Sequence, residues 1–187
     1  PMIVRSVKNK SGTVKLNYIL IAIIVCVILY LNICQIVVNM DTDYIAELNY
    51  GRNVCEHKSI FPKGWVYANE LMFFRPALLF SMFYALTGQY IISYSVALCV
   101  SLFFILAAFV YFISGFIKSE NNILLSVIFL LSFCGNGRSF AVLTYLYYGY
   151  YAWYLIVILF TVGYLERLYV YKKRNIWITF VIVTASF

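Results

Sequence analysis

Long apolar stretches alternate with short polar segments along this chain. The first stretch, residues 16–38, contains 23 residues without a charged side chain. At about 1.5 Å per residue, a helix of that length crosses a hydrocarbon core of about 30 Å. It is too long for the apolar part of a signal peptide, and no small-residue cleavage site follows it. The pattern therefore predicts a permanent transmembrane helix.

A second charge-free stretch, residues 76–117, is interrupted at Thr87-Gly88-Gln89. The piece before the interruption, 76–86, rises only about 17 Å as a helix, which is too short for a bilayer. The piece after it is long enough to cross, and two more apolar runs follow. Transmembrane helices are predicted at about 16–38, 90–117, 123–134 and 150–168.

The last apolar run, residues 176–187, stops before it could cross a membrane. A chain that ended there would leave the carbonyl groups of a helix end unsatisfied in lipid. The sequence also begins with Pro1 instead of Met. We therefore expect residues 1–187 to be the N-terminal part of one transmembrane domain, with a truncated span at 176–187.

The composition agrees with this pattern. Hydrophobic residues make up 64% of the chain and charged residues 11%, whereas an average soluble domain is about a quarter charged. A soluble globule of this size could not bury so much apolar surface, and disordered chains are poor in aromatic residues. The predicted fold class is an all-α, polytopic transmembrane bundle.

The net charge of +7 reflects membrane orientation. Basic residues cluster before the first apolar stretch and at the end of the fourth predicted span, as is typical of cytoplasmic loops and unlike a groove that follows phosphates. We therefore expect a multi-pass membrane protein with a cytoplasmic N-terminus and no nucleic-acid partner. The clustered basic residues are Arg5, Lys8, Lys10, Lys15, Arg167, Lys172, Lys173 and Arg174.

Two counts of crossings satisfy this orientation, because both basic clusters must lie on the same side. In the first count the four predicted helices cross and residues 76–86 lie in the membrane interface. In the second, residues 76–86 cross and 123–134 is re-entrant, which requires a hairpin of about three residues between two spanning helices. We prefer the first count.

Either count places residues 39–75 outside, and in the first count the outer loop with its juxtamembrane helices is residues 39–88. Asp41-Thr42-Asp43 can cap a helix that Gly51 would end. Helical spacing would put Asp43, Glu47 and Tyr50 on one face. Five of the seven acidic residues of the chain lie in this loop: Asp41, Asp43, Glu47, Glu56 and Glu70.

The sequence of this loop resembles that of a known superfamily. The segments that carry the likeness are Asn39-Met40-Asp41-Thr42-Asp43-Tyr44, Trp65-x-Tyr67-x-x-Glu70-Leu71, Pro76-x-Leu78-Leu79 and Thr87-Gly88. They resemble the GT-C superfamily of polytopic glycosyltransferases, which includes protein O-mannosyltransferases and lipid A aminoarabinose transferases. The resemblance implies a sugar donor linked to polyprenyl phosphate and a catalytic acid in the first outer loop.

Candidate site residues follow from this likeness and from the chemistry of glycosyl transfer. The reaction needs a carboxylate that accepts the proton of the acceptor, and a cation near the departing phosphate. Asp41 and Asp43 are candidates for the base or for ligands of a divalent cation, with Glu47 and Glu70 in support. Better-known members often have an Asp-Glu pair where this chain has Asp-Thr-Asp, so either aspartate could act. Arg75 and Arg138 are candidates for binding the lipid phosphate.

Other functions remain open at this point. Helix capping and solvation of a surface helix would explain any one of these acids taken singly. A transporter or lipid flippase would be expected to carry ionisable residues within its spans, whereas the apolar runs here, with the fourth counted as residues 150–165, carry no charged side chain. A non-catalytic membrane protein is the third alternative. No Cys or His spacing indicates a metal site.

Overall fold

The structure is a computed structural model that describes residues 2–34, 42–64, 76–132 and 150–171. Within these residues all regular structure is helical and no strand occurs, which confirms the predicted all-α class. The described helices are α1 (Met2–Cys34), α2 (Thr42–His57), α3 (Pro76–Thr87), α4 (Tyr90–Phe116), α5 (Glu120–Ser132) and α6 (Tyr150–Tyr171).

Three of these helices are long and apolar enough to cross a membrane. The qualifying segments are Gly12–Leu31 of α1, Tyr90–Phe116 and Trp153–Val170 of α6. They confirm a membrane protein with transmembrane helices at three of the four predicted places. The first helix begins much earlier than residue 16, because the basic N-terminal segment continues it without a break.

The surface of α1 shows why this chain needs a lipid environment. Large apolar side chains that recur every three or four residues are at least half exposed on this helix. That spacing lines them up on one face, and so extensive an apolar face is not found on soluble monomers. The exposed residues are Leu16, Ile19, Ile23, Val27 and Tyr30.

The two remaining apolar helices are short. Helix α3 has 12 residues and α5 has 13, so each rises about 20 Å or less. The span expected at 123–134 therefore stays a prediction, because the described helix there is shorter than a bilayer core. The truncated span expected at 176–187 lies outside the described residues.

Helix α4 is the centre of the bundle. It packs against α6, α3, α5 and α1, while α2 packs on α3. Its buried face carries small residues, Ser93, Ala97, Ser101 and Ala108, between larger apolar ones. Small side chains let helix backbones approach closely. In a membrane the lipid tails are as apolar as the side chains, so helices associate through such close packing and not through the hydrophobic effect.

Polar contacts show which helix ends lie together. Asn17 Nδ2 of α1 donates a hydrogen bond to Asn121 Oδ1 of α5 at 2.9 Å, and the Tyr18 hydroxyl donates to Glu120 Oε1 at 3.0 Å. Near the end of α6, Arg167 donates to the carbonyl oxygen of Tyr111 in α4 at 2.6 Å. We call this side of the molecule, with Lys15, Lys118 and Arg167, the basic end.

Helix α2 lies at the other side of the bundle. The Tyr90 hydroxyl, at the first residue of α4, donates to Asn49 Oδ1 of α2 at 3.5 Å. Since Tyr90 and Phe116 are the two ends of α4, α2 and the basic end are separated by the length of that helix. We call the side with α2 and Tyr90 the loop end.

This arrangement bears on the number of crossings. The start of the apolar segment of α1 and the C-terminal end of α4 both lie at the basic end, since α5 follows α4 after three residues. An even number of crossings must then separate them. The geometry favours the first count, in which residues 76–86 do not cross.

Candidate functional site

Helix α2 carries two of the four acidic residues proposed for the site. It begins at Thr42, so Asp43 lies in its first turn and Glu47 one turn later. The expectation that Gly51 ends this helix is wrong, because α2 continues through Gly51 to His57. Glycine often follows the last turn of a helix, but here it serves a contact between helices.

Gly51 marks the crossing of α2 over α3. A Cβ atom at this residue would lie 2.6 Å from the carbonyl oxygen of Ala77 and 2.7 Å from Cδ1 of Phe80. Both distances are shorter than any real contact of a Cβ atom. Ala77 and Phe80 are themselves fully buried. The absence of a side chain at Gly51 therefore lets α2 lie directly on α3.

The positions of Asp43 and Glu47 follow from the helical register. They precede Tyr50, Gly51 and Val54 by 3, 4, 7, 8 or 11 residues, and these spacings put all five positions in one register of the helix. Tyr50, Gly51 and Val54 are buried at the crossing with α3.

The other proposed site residues are not among those that the structure describes. Asp41, Glu70, Arg75 and Arg138 lie in the gaps at 35–41, 65–75 and 133–149. Of the proposed catalytic pair, supporting acids and phosphate ligands, only Asp43 and Glu47 are brought together here, on one face of one helix.

The segment after α2 is fixed by its own hydrogen bonds. The Tyr50 hydroxyl donates to the carbonyl oxygen of Ile60 at 2.5 Å, so the chain folds back against the helix that it has just left. Lys58 adopts a left-handed conformation with φ 49° directly after the helix. Gly64, with φ 81°, lies in the turn that the sequence predicts at Phe61-Pro62-Lys63-Gly64.

Aromatic and polar side chains surround the junction of α2, α3 and α4. The rings of Phe80, Tyr84 and Tyr90 lie with their centroids 5.1 to 5.5 Å apart. Arg52 pairs with Glu56 on the exposed side of α2, with Nε 3.4 Å from Oε1. Sequence reasoning missed Asn49 and Tyr90 here, because their contact joins residues 41 positions apart.

A second polar group lies between α4 and α6. The guanidinium of Arg167 donates to the carbonyl oxygens of Gly163 and Tyr111 and to Ser114 Oγ at 2.6 to 2.7 Å, and it stacks on the Tyr111 ring. Beside it, Oε2 of Glu166 is buried and has no hydrogen-bond partner among the described residues. In the sequence, Glu166 and Arg167 follow a charge-free run and stand at the end of the predicted span 150–168. The structure packs the pair against α4, within the apolar segment Trp153–Val170.

The described residues do not form a metal site. They contain no group of three or more His, Cys, Asp or Glu side chains that could hold an ion. His57 is the last residue of α2 and is exposed, with Nδ1 3.0 Å from the carbonyl oxygen of Asn53. Asp41 lies outside the described residues, so the divalent cation considered for Asp41 and Asp43 stays a hypothesis.

Comparison with protein-family models, curated proteins and solved structures finds no match to this chain.

Proposed function

We propose that this membrane protein is a glycosyltransferase that takes a sugar from a polyprenyl-phosphate donor and transfers it at the outer face of the membrane. The proposal starts from the GT-C resemblance of the first outer loop. What the structure adds is that one helix of that loop, α2, packs on α3.

One observation carries the proposal. Positions 43 and 47 of α2 share the helical register of Tyr50, Gly51 and Val54, which are buried where α2 crosses α3 at the loop end of the bundle. A helix that only solvated the surface would be expected to keep its acidic positions on the face away from its neighbour. Carboxylates at the edge of a transmembrane bundle lie where a membrane-anchored donor presents its sugar.

The chemistry requires one carboxylate to act as a general base. It accepts the proton of the acceptor hydroxyl while the acceptor oxygen bonds to the anomeric carbon of the sugar. The bond from that carbon to the phosphate oxygen breaks, and the phosphate leaves with the electron pair. Asp41 or Asp43 would be the base, Glu47 and Glu70 would support it, and Arg75 and Arg138 would bind the phosphate.

A transporter or lipid flippase is the second candidate, and a specific observation favours it. Glu166 and Arg167 lie inside an apolar segment at the contact of α6 with α4, and Asn17 is buried in α1. Ionisable residues between transmembrane helices often mark a substrate route. Arg167, however, already donates three hydrogen bonds within the protein, which is typical of a residue that joins helices.

The test is to replace the candidate bases in the complete protein. Asp41→Asn and Asp43→Asn are made singly, and transfer of sugar from a polyprenyl-phosphate donor is measured in membranes. Loss of the general base should slow transfer about 100- to 10,000-fold. The matched control is Glu56→Gln, an exposed acid on the same helix that pairs only with Arg52.

The expected pattern is a large loss for one or both aspartates and near-normal transfer for the Glu56 variant. Equal transfer by all three variants, at equal expression, would exclude Asp41 and Asp43 as catalytic residues. A protein that moves the donor across vesicles without transferring the sugar would be a flippase.

A further inference from the structure

The two ends of the described bundle differ in charge. The basic end carries six basic residues and two acidic ones, whereas the loop end carries three of each. The residues at the basic end are Arg5, Lys8, Lys10, Lys15, Lys118 and Arg167, with Glu120 and Glu166. Those at the loop end are Arg52, Lys58 and Lys63, with Asp43, Glu47 and Glu56.

Most of the excess charge lies on one element. Helix α1 extends ten residues beyond the start of its apolar segment, Gly12–Leu31, and stays helical throughout. At about 1.5 Å per residue, that extension reaches about 15 Å beyond Gly12, where the apolar segment begins. Measured along the helix axis from Gly12, positions 10 and 15 lie within one turn, position 8 lies about 6 Å away and position 5 about 10 Å away.

These distances decide which charges can act on a lipid surface. Electrostatic attraction to headgroups falls off over a Debye length, which is about 8 to 10 Å at physiological salt. Lys8, Lys10 and Lys15 lie within that range and Arg5 lies at its limit. Arg167 and Lys118 are less available, because Arg167 is bonded to α4 and Lys118 Nζ donates to the carbonyl oxygens of Ser114 and Gly115.

We propose that the basic end binds anionic phospholipid headgroups, and that the basic residues of α1, with Lys10 and Lys15 foremost, supply the binding. Glu120 and Glu166 offset only two of the six positive charges at this end. The partner chemistry is a phosphodiester or phosphomonoester anion in the leaflet that the basic end reaches.

Lipid titration of the purified protein tests this binding. The protein in neutral detergent is titrated with dioleoyl-phosphatidylglycerol or dioleoyl-phosphatidylcholine, and bound lipids are counted by native mass spectrometry. Each basic residue near the surface contributes about fivefold in affinity. Phosphatidylglycerol should therefore bind at least about tenfold more tightly than phosphatidylcholine, and the preference should weaken as salt screens the charges.

A charge-matched pair of variants locates the site. Lys10→Gln/Lys15→Gln should weaken phosphatidylglycerol binding at least about tenfold, while Lys58→Gln/Lys63→Gln at the loop end should leave it within about twofold. Lys10→Arg/Lys15→Arg keeps the charge and should bind like the unmodified protein. Equal losses in the two glutamine variants would overturn the proposal.

If the Lys10/Lys15 glutamine variant does not fold, the lipid titration of the unmodified protein still tests the proposal. An affinity for phosphatidylglycerol that is no higher than that for phosphatidylcholine, or that does not change with salt, would also overturn the proposal. This result does not depend on whether the protein is a glycosyltransferase, since the loop end takes no part in the measurement.

Discussion

At Gly51 the backbone of α2 comes into direct contact with the backbone of α3. The nearest atom to a Cβ there would be the carbonyl oxygen of Ala77, which is part of a helix and cannot rotate away. Around this point Tyr50, Val54 and Ala77 form a small buried cluster. A single hydrogen atom in place of a side chain thus determines how closely the acid-bearing helix lies on the bundle.

We expect Gly51→Ala to destabilise the protein. The added methyl group must push α2 away from α3, and overpacking of this kind costs about 1 to 3 kcal/mol. The loss should appear as a lower midpoint of thermal unfolding in detergent.

Gly12→Ala is the matched control for this change. Gly12 is also within a helix, and a Cβ there would meet nothing within 4 Å. Because alanine favours helix over glycine, this variant should be as stable as the unmodified protein or slightly more stable. Similar unfolding midpoints for the two variants would contradict the close crossing.

Gly51 also shows a limit of sequence reasoning at this scale. A glycine after a short polar helix is a common helix end, and nothing nearby in the sequence indicates a crossing partner. Ala77 and Phe80 lie more than 25 positions away. By contrast, the expectation that Tyr50 shares a face with Asp43 and Glu47 needs only the helical period, and Tyr50 is buried on the side that packs on α3.

Between elements, the contact of α4 with α6 is the most extensive in the described bundle. Gly163 allows it, since a Cβ there would lie 3.0 Å from Cα of Phe112 and Cδ1 of Tyr111. One turn further, Arg167 bonds to the carbonyl oxygen of Tyr111 and to Ser114 Oγ. The two helices are thus joined near the basic end by the close backbone contact at Gly163 and by the hydrogen bonds of the Arg167 guanidinium.

Replacing Arg167 should weaken this joint. Arg167→Gln removes two charged hydrogen bonds to α4 and the stacking on Tyr111, and we expect a loss on the order of 3 kcal/mol. Arg167→Lys should recover only part of it, because an ammonium lacks the planar fork that reaches several acceptors together. Unfolding by sodium dodecyl sulfate, followed by tryptophan fluorescence, measures the difference.

Lys15→Gln in neutral detergent is the control for charge alone. Lys15 is an exposed basic residue at the same end. If this variant lost as much stability as Arg167→Gln, the effect of Arg167 would be one of net charge and not of its bonds to α4.

The sequence predicts the long helices well, but it does not predict which helices contact one another. The long helices at 90–117 and 150–168 are marked by length and hydropathy alone, and the structure has them within a few residues. The contacts between them are a different matter. Asn17 and Asn121 bond across 104 positions, and Arg167 looks like a flanking charge until its partners in α4 are seen. Periodicity identifies an apolar face but not which helix will cover it.

In the whole molecule, the two ends that differ in charge are also the two ends of the helix bundle. The hydrogen bonds of Tyr18 and Arg167 connect α1 to α5 and α6 to α4 at the basic end, and α2 lies at the other end of α4. Four of the six proposed site residues lie outside the described residues, so most of the candidate site is defined by the sequence alone. The orientation of the two ends in the membrane can be measured directly, and it decides which end faces outward.

We expect Lys15 and Lys118 to lie on one side of the membrane and Lys58 on the other. In a cysteine-free background, each lysine is replaced singly by cysteine and labelled with a membrane-impermeant maleimide. Lys58→Cys should react in intact cells, because the loop end faces outward in the predicted orientation. Lys15→Cys and Lys118→Cys should react only after the membrane is opened.

The comparison of Lys15 with Lys118 decides between the two counts of crossings. Four helices lie between these residues: α1 and α4 are long and apolar enough to cross, α2 belongs to the outer loop in both counts, and α3 is the one that the two counts treat differently. If α3 remains in the interface, two crossings return the chain to its starting side and both residues label alike. If α3 crosses, the number is odd and Lys118 labels with Lys58. That second outcome would conflict with the bond between Tyr18 and Glu120, since Glu120 follows Lys118 by two residues and must lie on the same side.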